Sequence, residues 1–495
     1  MKNALLSLVS SHAESPQAAV LASACFGGVA VVCASLAGAA QDGVSADLQS
    51  ELDALRRDVA VLRANGIGGG NWLTEARTEE VRAIVTDVLA DAATRTSLQE
   101  SVATSGWKDG FFLNSADGAY SMRFNGYIQT RYTFDSRESV AGLTGTQDLE
   151  AHGFETRRIK MVLEGNVVDS SWTYKVETAL SSGTTSLDDT WVEKRLAEGL
   201  TMKIGQFKAP FMREFLLSDP VAMMVDRSSV EGFFTPGRAQ GVQLNWREGD
   251  VQLTGAYLNG FAVKSNYFTS GDMRNLSWGS TAIADYAVVA RAEWKLAGEW
   301  AQFKDPAGWA SDGFGVLLGV AGEAERKDNN QGVPAAYGAI EPSVIGGTVD
   351  LSVEFSGASI LTYGVWRQVD PNDAALATSD QFCFMIQGGL FVTDTVELVA
   401  RYEYGDADTS PNGDPLVLNT INNNGYSTLN TVGVGVNWFI QKQRIKLTTD
   451  LCYAMDGIGA FTNSGNGFLS DGTGAGGAFD QDGQIIARMQ FQMMW

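Results

Sequence analysis

Basic side chains stand on the polar side of segments that alternate apolar and polar residues. Arg123, Arg131, Arg158, Lys160, Lys175, Lys203, Arg291, Arg401 and Arg488 are the leading members. Fixed guanidinium and ammonium groups attract anions and lower the barrier to their passage. A second basic set, Arg213, Arg227 and Arg238, lies in an unusually apolar segment, 209–239. Bond-making chemistry has little to work with. Among 495 residues there are two histidines, His12 and His152, the latter expected in a loop. A hydrolytic site needs a nucleophile, a base and an orienting group held together, and His152 alone cannot supply them. Cys25, Cys33, Cys383 and Cys452 form no Cys-x-x-Cys pair, so zinc ligation is not expected. No enzyme activity, metal or cofactor is expected. A formal net charge of -22 disfavours nucleic acid as a partner.

Groups on every second residue must be carried by strands, because successive side chains of a strand point to opposite faces. Sixteen such segments can be read. They are 121–134, 153–167, 171–181, 187–196, 199–208, 240–247, 250–259, 285–296, 313–325, 347–356, 358–368, 380–392, 395–405, 427–441, 443–456 and 483–495. In the last of these, Ile485, Met489, Phe491 and Met493 alternate with Arg488, Gln490 and Gln492 before the terminal Trp495. The connections alternate between very short and long, with 297–312 as the exception. Trp172, Trp246, Trp294, Trp438 and Trp495 fall at the short-turn ends. Tyr132, Phe134, Tyr257, Tyr286, Tyr402, Tyr404 and Tyr453 fall at the long-loop ends. An even strand number, short turns on one side, long loops on the other and two aromatic girdles describe a transmembrane β-barrel. The expected fold is all-β: a 16-stranded antiparallel transmembrane β-barrel over 106–495, with a short N-terminal α-helical coiled-coil stalk.

Residues 17–40 carry no charge and end in Ala37-Gly38-Ala39-Ala40, which reads as a signal peptide over 1–40. Leu48, Leu52, Leu55, Val59 and Leu62 then follow a 4-3-4-3 spacing among charged residues. Two heptads are too short to be stable without self-association or a tether. Residues 41–105 are therefore expected as a periplasmic helical stalk.

A sixteen-stranded barrel is too wide to be filled by its own side chains. The polar face of fifteen strands, omitting 187–196 because its phase is ambiguous, carries thirteen bases and ten acids. That small surplus leaves two readings open, a mild anion preference or a balanced wall of paired charges. The segment 209–239 contains Phe215, Leu216, Met223, Met224, Phe233 and Phe234, which would be costly on an exposed loop. Folding into the lumen would bury them and bring Arg213, Arg227 and Arg238 to its narrowest part.

These residues also carry a resemblance. Gly205-Gln206-Phe207-Lys208-Ala209-Pro210-Phe211 with Glu214 is similar to the phosphate-selective porin O/P family. So are Pro236-Gly237-Arg238-Ala239-Gln240-Gly241-Val242-Gln243-Leu244, Phe124-Asn125-Gly126-Tyr127, Arg157-Arg158 and Arg401-Tyr402-Glu403-Tyr404. The resemblance covers about 110–495. It implies a homotrimeric outer-membrane porin of a Gram-negative-type bacterium, whose third loop constricts the pore. It implies passage of small solutes or anions, often phosphate, along lumen arginines and a lysine cluster. Outer-membrane lipid and the barrel-assembly machinery, which would read the terminal aromatic Trp495, are the implied partners. The chain departs from the pattern in its sparse loop lysines, Lys264 and Lys327, and its acidic loops. The other reading is a non-conducting outer-membrane anchor acting through its stalk and acidic loops.

Overall fold

In the computed structural model the described residues are 104–136, 150–181, 184–261, 284–327, 343–370, 378–408, 428–456 and 483–495, with positions 82, 83, 86, 372 and 468. The chain divides into two compact units, Met1–Thr96 and Ser97–Trp495. In the first, Arg82, Ala83 and Thr86 are helical; the leader and the heptads lie outside the described residues. The second unit carries the strands.

Eighteen strands make one antiparallel sheet. A hairpin of β1 (Thr104–Trp107) and β2 (Phe111–Asn114) precedes β3 (Ser121–Ser136), β4 (Glu150–Val167), β5 (Asp169–Ser181), β6 (Thr184–Ala197), β7 (Leu200–Lys208), β8 (Arg238–Glu248) and β9 (Val251–Leu258). Then come β10 (Ala284–Ala297), β11 (Gly315–Lys327), β12 (Ser343–Phe355), β13 (Ala358–Asp370), β14 (Ser379–Thr393), β15 (Val396–Asp406), β16 (Thr428–Gln441), β17 (Ile445–Ala454) and β18 (Gln484–Met494). Each of β3–β18 pairs with its sequence neighbours, and β18 returns to pair with β3 from Ile485 opposite Ser136 to Met494 opposite Tyr127. The result is a closed sixteen-stranded barrel with no free edge, one of the two backbone solutions that satisfy every N–H and C=O inside a bilayer.

The alternation read from the sequence is the physical basis of the wall. Outward positions such as Val192, Leu244, Trp294, Ile345 and Phe491 are exposed and apolar, while Gln129, Asp350, Gln387 and Gln490 point inward and are buried. All sixteen segments are strands, with ends shifted by a few residues. β4 starts at Glu150, so His152 stands in a strand opposite Phe134 and not in a loop. The β1–β2 hairpin leaves no signature in the sequence, because four-residue strands are too short to show alternation. β2 pairs with residues 121–124 of β3, where β18 does not reach.

The seam is tied at its end. Trp495 and Gly126 exchange backbone hydrogen bonds of 3.0 and 3.2 Å. A Cβ on Gly126 would lie 2.4 Å from the Lys160 carbonyl and 2.8 Å from the Trp495 ring. Gly126→Val is therefore expected to destabilise the seam by about 1–3 kcal/mol through overpacking. The check is the temperature at which the compact, fast-migrating form is lost on SDS gels. An unchanged temperature would contradict this packing.

Candidate functional site

The segment 209–239 between β7 and β8 lies inside the ring of strands. Its apolar residues make it fold there: Phe211, Met212, Met224 and Phe234 are at most 1% exposed. They join a cluster with inward residues such as Leu361, Met385, Val399 and Ile486. Two short helices, α1 (Arg213–Leu216) and α2 (Ser229–Phe234), shape it, and the Ser228 hydroxyl caps α2 by accepting from the Glu231 N–H at 2.9 Å. Backbone groups left over are met by the wall. Arg291 donates to the Phe211 carbonyl at 2.9 Å, Asn437 to Met223 at 2.8 Å and Lys446 to Pro220 at 2.9 Å. The carboxylates of Glu403 and Asp450 accept from the N–H groups of Ser229 at 2.6 Å and Val225 at 3.0 Å.

Carboxylates of the loop hold it more firmly than its arginines do. Asp226 meets four guanidinium groups: Arg131, Arg158 at 3.1 Å, Arg488 at 3.1 Å and Arg157 at 3.5 Å. A register shift in the β3–β4 pairing beside Gln129 lets the adjacent Arg157 and Arg158 both reach it. Burial alone would raise the Asp226 carboxyl, but these arginines outweigh burial and hold it well below the usual carboxylate range. Asp219 is held low in the same way, against burial, first by Arg227 and then by Lys160 and Arg158. It lies 2.6 Å from Arg227 and 2.8 Å from Lys160, and accepts from the Tyr127 hydroxyl at 2.7 Å. Glu214 accepts from the Tyr363 hydroxyl at 2.7 Å and lies 3.3 Å from Arg401.

Each loop arginine also has an acid. Arg213 is 3.7 Å from Glu293, Arg227 has Asp219, and Arg238 on β8 is 2.7 Å from Asp189. Lys208, Arg227 and Arg238 surround the Phe215 ring at 5.1 to 5.7 Å from its centre. Lys208 donates to the carbonyls of Phe215 and Leu217 at 2.7 and 2.8 Å.

A second segment folds inward from the short-turn side. The connection between β10 and β11, the exception to the length rule, holds a 3-10 turn, Gln302–Lys304, with Phe303 and Ala307 each 2% exposed. Gln302 donates to Glu354 at 3.1 Å and Gln443 to Asp305 at 2.9 Å. Trp309 packs on Phe391 and Phe439 with ring centres 4.9 and 4.7 Å apart. Arg213 reaches across to the Phe303 carbonyl, so the two inward segments touch.

Together these segments cover the lumen face of β10–β18, and the loop reaches β3 and β4 through Asp219 and Asp226. Inward residues of β11, β12 and β15 are buried throughout. The expected lining residues therefore separate into two groups. Arg131, Lys160, Arg291, Arg401 and Arg488 are buried beneath the loop and engaged there. Arg123, Arg158, Lys175 and Lys203, on β3, β4, β5 and β7, keep part of their surface in solvent. Arg157 and Arg247 keep theirs as well. The part-solvated acids on these strands are Glu155, Glu164 and Glu193, and the buried Glu177, Asp189 and Asp226 also face Lys175, Arg157 and Arg158.

The charge count changes accordingly. Among the described residues the buried charged side chains are seven bases and sixteen acids, so the small surplus of bases read along the strands does not describe the interior. The wall count omitted the loop acids and the ambiguous strand. In that strand, β6, a register shift turns both Asp188 and Asp189 onto inward bases: Asp188 lies 2.7 Å from Lys160 and Asp189 3.1 Å from Lys175. Asp219 and Asp226 could have been found from the sequence as two of the four acids in an apolar loop facing a basic wall.

Residues 131–271 match the family model of phosphate-selective porins O and P. No curated protein sequence matches the chain. Among solved structures, OmpT of Vibrio cholerae in its trimer form is 13% identical, covering 76% of this chain and 100% of its own at a TM-score of 0.47. An anion-selective porin from Comamonas acidovorans is 12% identical, with coverages of 76% and 100% and a TM-score of 0.48. OprB of Pseudomonas putida is 10% identical, with 82% and 97% and a TM-score of 0.47. Likenesses at this level decide nothing further, and the barrel stands on its own closed strand pairing.

Proposed function

We propose that this chain, which matches the phosphate-selective porin O and P family over residues 131–271, is an outer-membrane channel for small hydrophilic solutes, with a preference for anions. The observation that carries the reading is the asymmetry of the lumen. The loop 209–239 lies against β10 and β13–β18 and reaches β3 and β4 through Asp219 and Asp226. The part-solvated charges of β3–β9 beside it are mainly basic: Arg123, Arg157, Arg158, Lys175, Lys203 and Arg247 against Glu155, Glu164 and Glu193, with Arg157 and Arg158 also facing the buried Asp226 and Lys175 the buried Glu177 and Asp189. Solutes pass along that side, beside the loop, and the loop sets the width. Buried pairs such as Arg291 with Asp350, 2.7 Å apart, fix the shape of the constriction but do not select ions. The channel sits in outer-membrane lipid as a homotrimer, inserted by the barrel-assembly machinery, with its N-terminal segment in the periplasm.

Reconstitution of the full chain in planar bilayers tests this directly. Discrete current steps in KCl are the expected result. A protein that inserts as a heat-modifiable barrel yet gives no steps would favour the non-conducting anchor.

A further inference from the structure

Tryptophans on a barrel belong on the outer face near the rims, and Trp172, Trp246, Trp294, Trp366 and Trp438 follow that rule. Trp191 does not. Among the described tryptophans of β3–β18 it alone points inward, because the register shift at Asp188 and Asp189 reverses the phase of β6. It stands directly opposite Lys175, whose ammonium is 2.7 Å from the inward Glu177.

The row across the wall continues from Trp191 to Gly205, then Gly241, then Leu258. The next two positions of the row, Gly205 and Gly241, carry no side chain. Gly205 has φ +132 and a Cβ there would lie 2.7 Å from the Trp191 Cα, while a Cβ on Gly241 would lie 2.1 Å from the Tyr257 carbonyl. Both glycines are close-packed, with Leu258 Cδ2 2.9 Å from where a Gly241 Cβ would stand, so the wall beside the indole is low and smooth and admits no larger residue. Trp191 packs against the apolar cluster of the loop but is only partly buried. Lys203 holds its ammonium 4.4 Å from the ring centre and is tied to Glu193 at 3.5 Å. An indole bordering water, beside two glycines, with the Lys203 ammonium over its ring and Lys175, held by Glu177 and Asp189, at the paired position of the next strand, offers an apolar ring surface and positive charge within one solute length.

We propose that Trp191, with Lys175 and Lys203, is a stacking site for small anions that carry a flat aromatic ring, of the aromatic carboxylate class. The carboxylate meets the ammonium groups and the ring meets the indole. The inference rests on the channel reading above and names a solute class for the passage. Ring stacking of this kind corresponds to about a 2- to 10-fold gain in affinity over the ring-free anion.

Benzoate and acetate, which differ by the ring, are titrated against the KCl current of the full-length channel. Benzoate is expected to reduce the current at about 2- to 10-fold lower concentration than acetate. Trp191→Leu should abolish the difference without altering the acetate response, and Trp191→Tyr should restore most of it. Equal responses in the native channel would overturn the proposal, as would a benzoate advantage that survives Trp191→Leu. If Trp191→Leu fails to form a heat-modifiable barrel, the ratio in Trp191→Tyr decides: retention supports stacking, and loss overturns it. A native protein that inserts and gives no current overturns the channel reading, and this proposal with it; a current without ring preference overturns this proposal alone.

Discussion

Asp226→Asn is expected to unseat the loop 209–239. In the native protein one carboxylate faces Arg131, Arg157, Arg158 and Arg488. Removing its charge leaves four guanidinium groups around a neutral amide, with Glu155, Asp450 and Asp219 as neighbouring acids. Breaking a buried pair in this way costs about 3–5 kcal/mol, largely because the remaining charges stay buried without compensation. The loop is also held by Asp219, Glu214 and its apolar residues, so the barrel should still form while the loop loses its fixed seat. Limited proteolysis in detergent should cut within 209–239 in the variant and spare the native protein. Channel currents should become noisier.

The pH dependence follows from the same group. Its carboxyl in the folded protein is held below the usual range, so the stabilisation is present above the ordinary carboxylate value, near 4. It is lost only as pH falls through the depressed folded value. Native loop protection should persist at pH 4, where an ordinary carboxylate is half protonated. Loss of protection on lowering the pH from 7 to 4 would show that Asp226 is not held in this way.

Arg123→Glu combined with Lys203→Glu is expected to move selectivity from anions to cations. The two side chains are 44% and 19% exposed and pair only loosely, at 3.9 and 3.5 Å, with Glu164 and Glu193. Reversing them should therefore disturb folding little while placing like charges side by side in the passage. The named solvated set changes from six bases and three acids to four and five. A unit charge about 4 Å from an ion in water is worth about 1 kcal/mol, or roughly fivefold in a permeability ratio, and the effect should shrink at high salt. The reversal potential under a KCl gradient should change sign. The same reversal at Arg291, sealed against Asp350 and Phe211, should damage folding and not tune selectivity. An unchanged sign in the double variant would place the ion path elsewhere.

Much of this architecture was legible in the sequence. Period two, the alternation of connection lengths and the aromatic rims fix the sixteen strands, because a wall between lipid and water must separate its faces residue by residue. The apolar content of 209–239 pointed the loop inward. The failures have local causes. The β1–β2 hairpin is too short for periodicity, and the register shift in β6 breaks the alternation on which a phase is read. The inward turn at 302–309 showed only as an over-long connection. Following the positive charges drew attention to Arg213, Arg227 and Arg238, whereas the acids Asp219 and Asp226 hold the loop. A one-dimensional reading cannot see that the loop covers Arg291, Arg401 and Arg488 while leaving Arg123, Arg158, Lys175 and Lys203 in water.

The central claim is that ions pass along the β3–β9 side of the lumen, beside a seated loop. Thiol labelling during current recording tests it most directly. Among the described residues the cysteines are Cys383 and Cys452, both buried, so a parent channel with Cys25 and Cys33 replaced by Ser should not respond to a membrane-impermeant sulfonate thiol reagent. A cysteine replacing Lys203 should be modified, with a lasting fall in current, whereas one replacing Gln387, 3% exposed across the barrel, should not. Reaction at position 387 with none at position 203 would contradict the account.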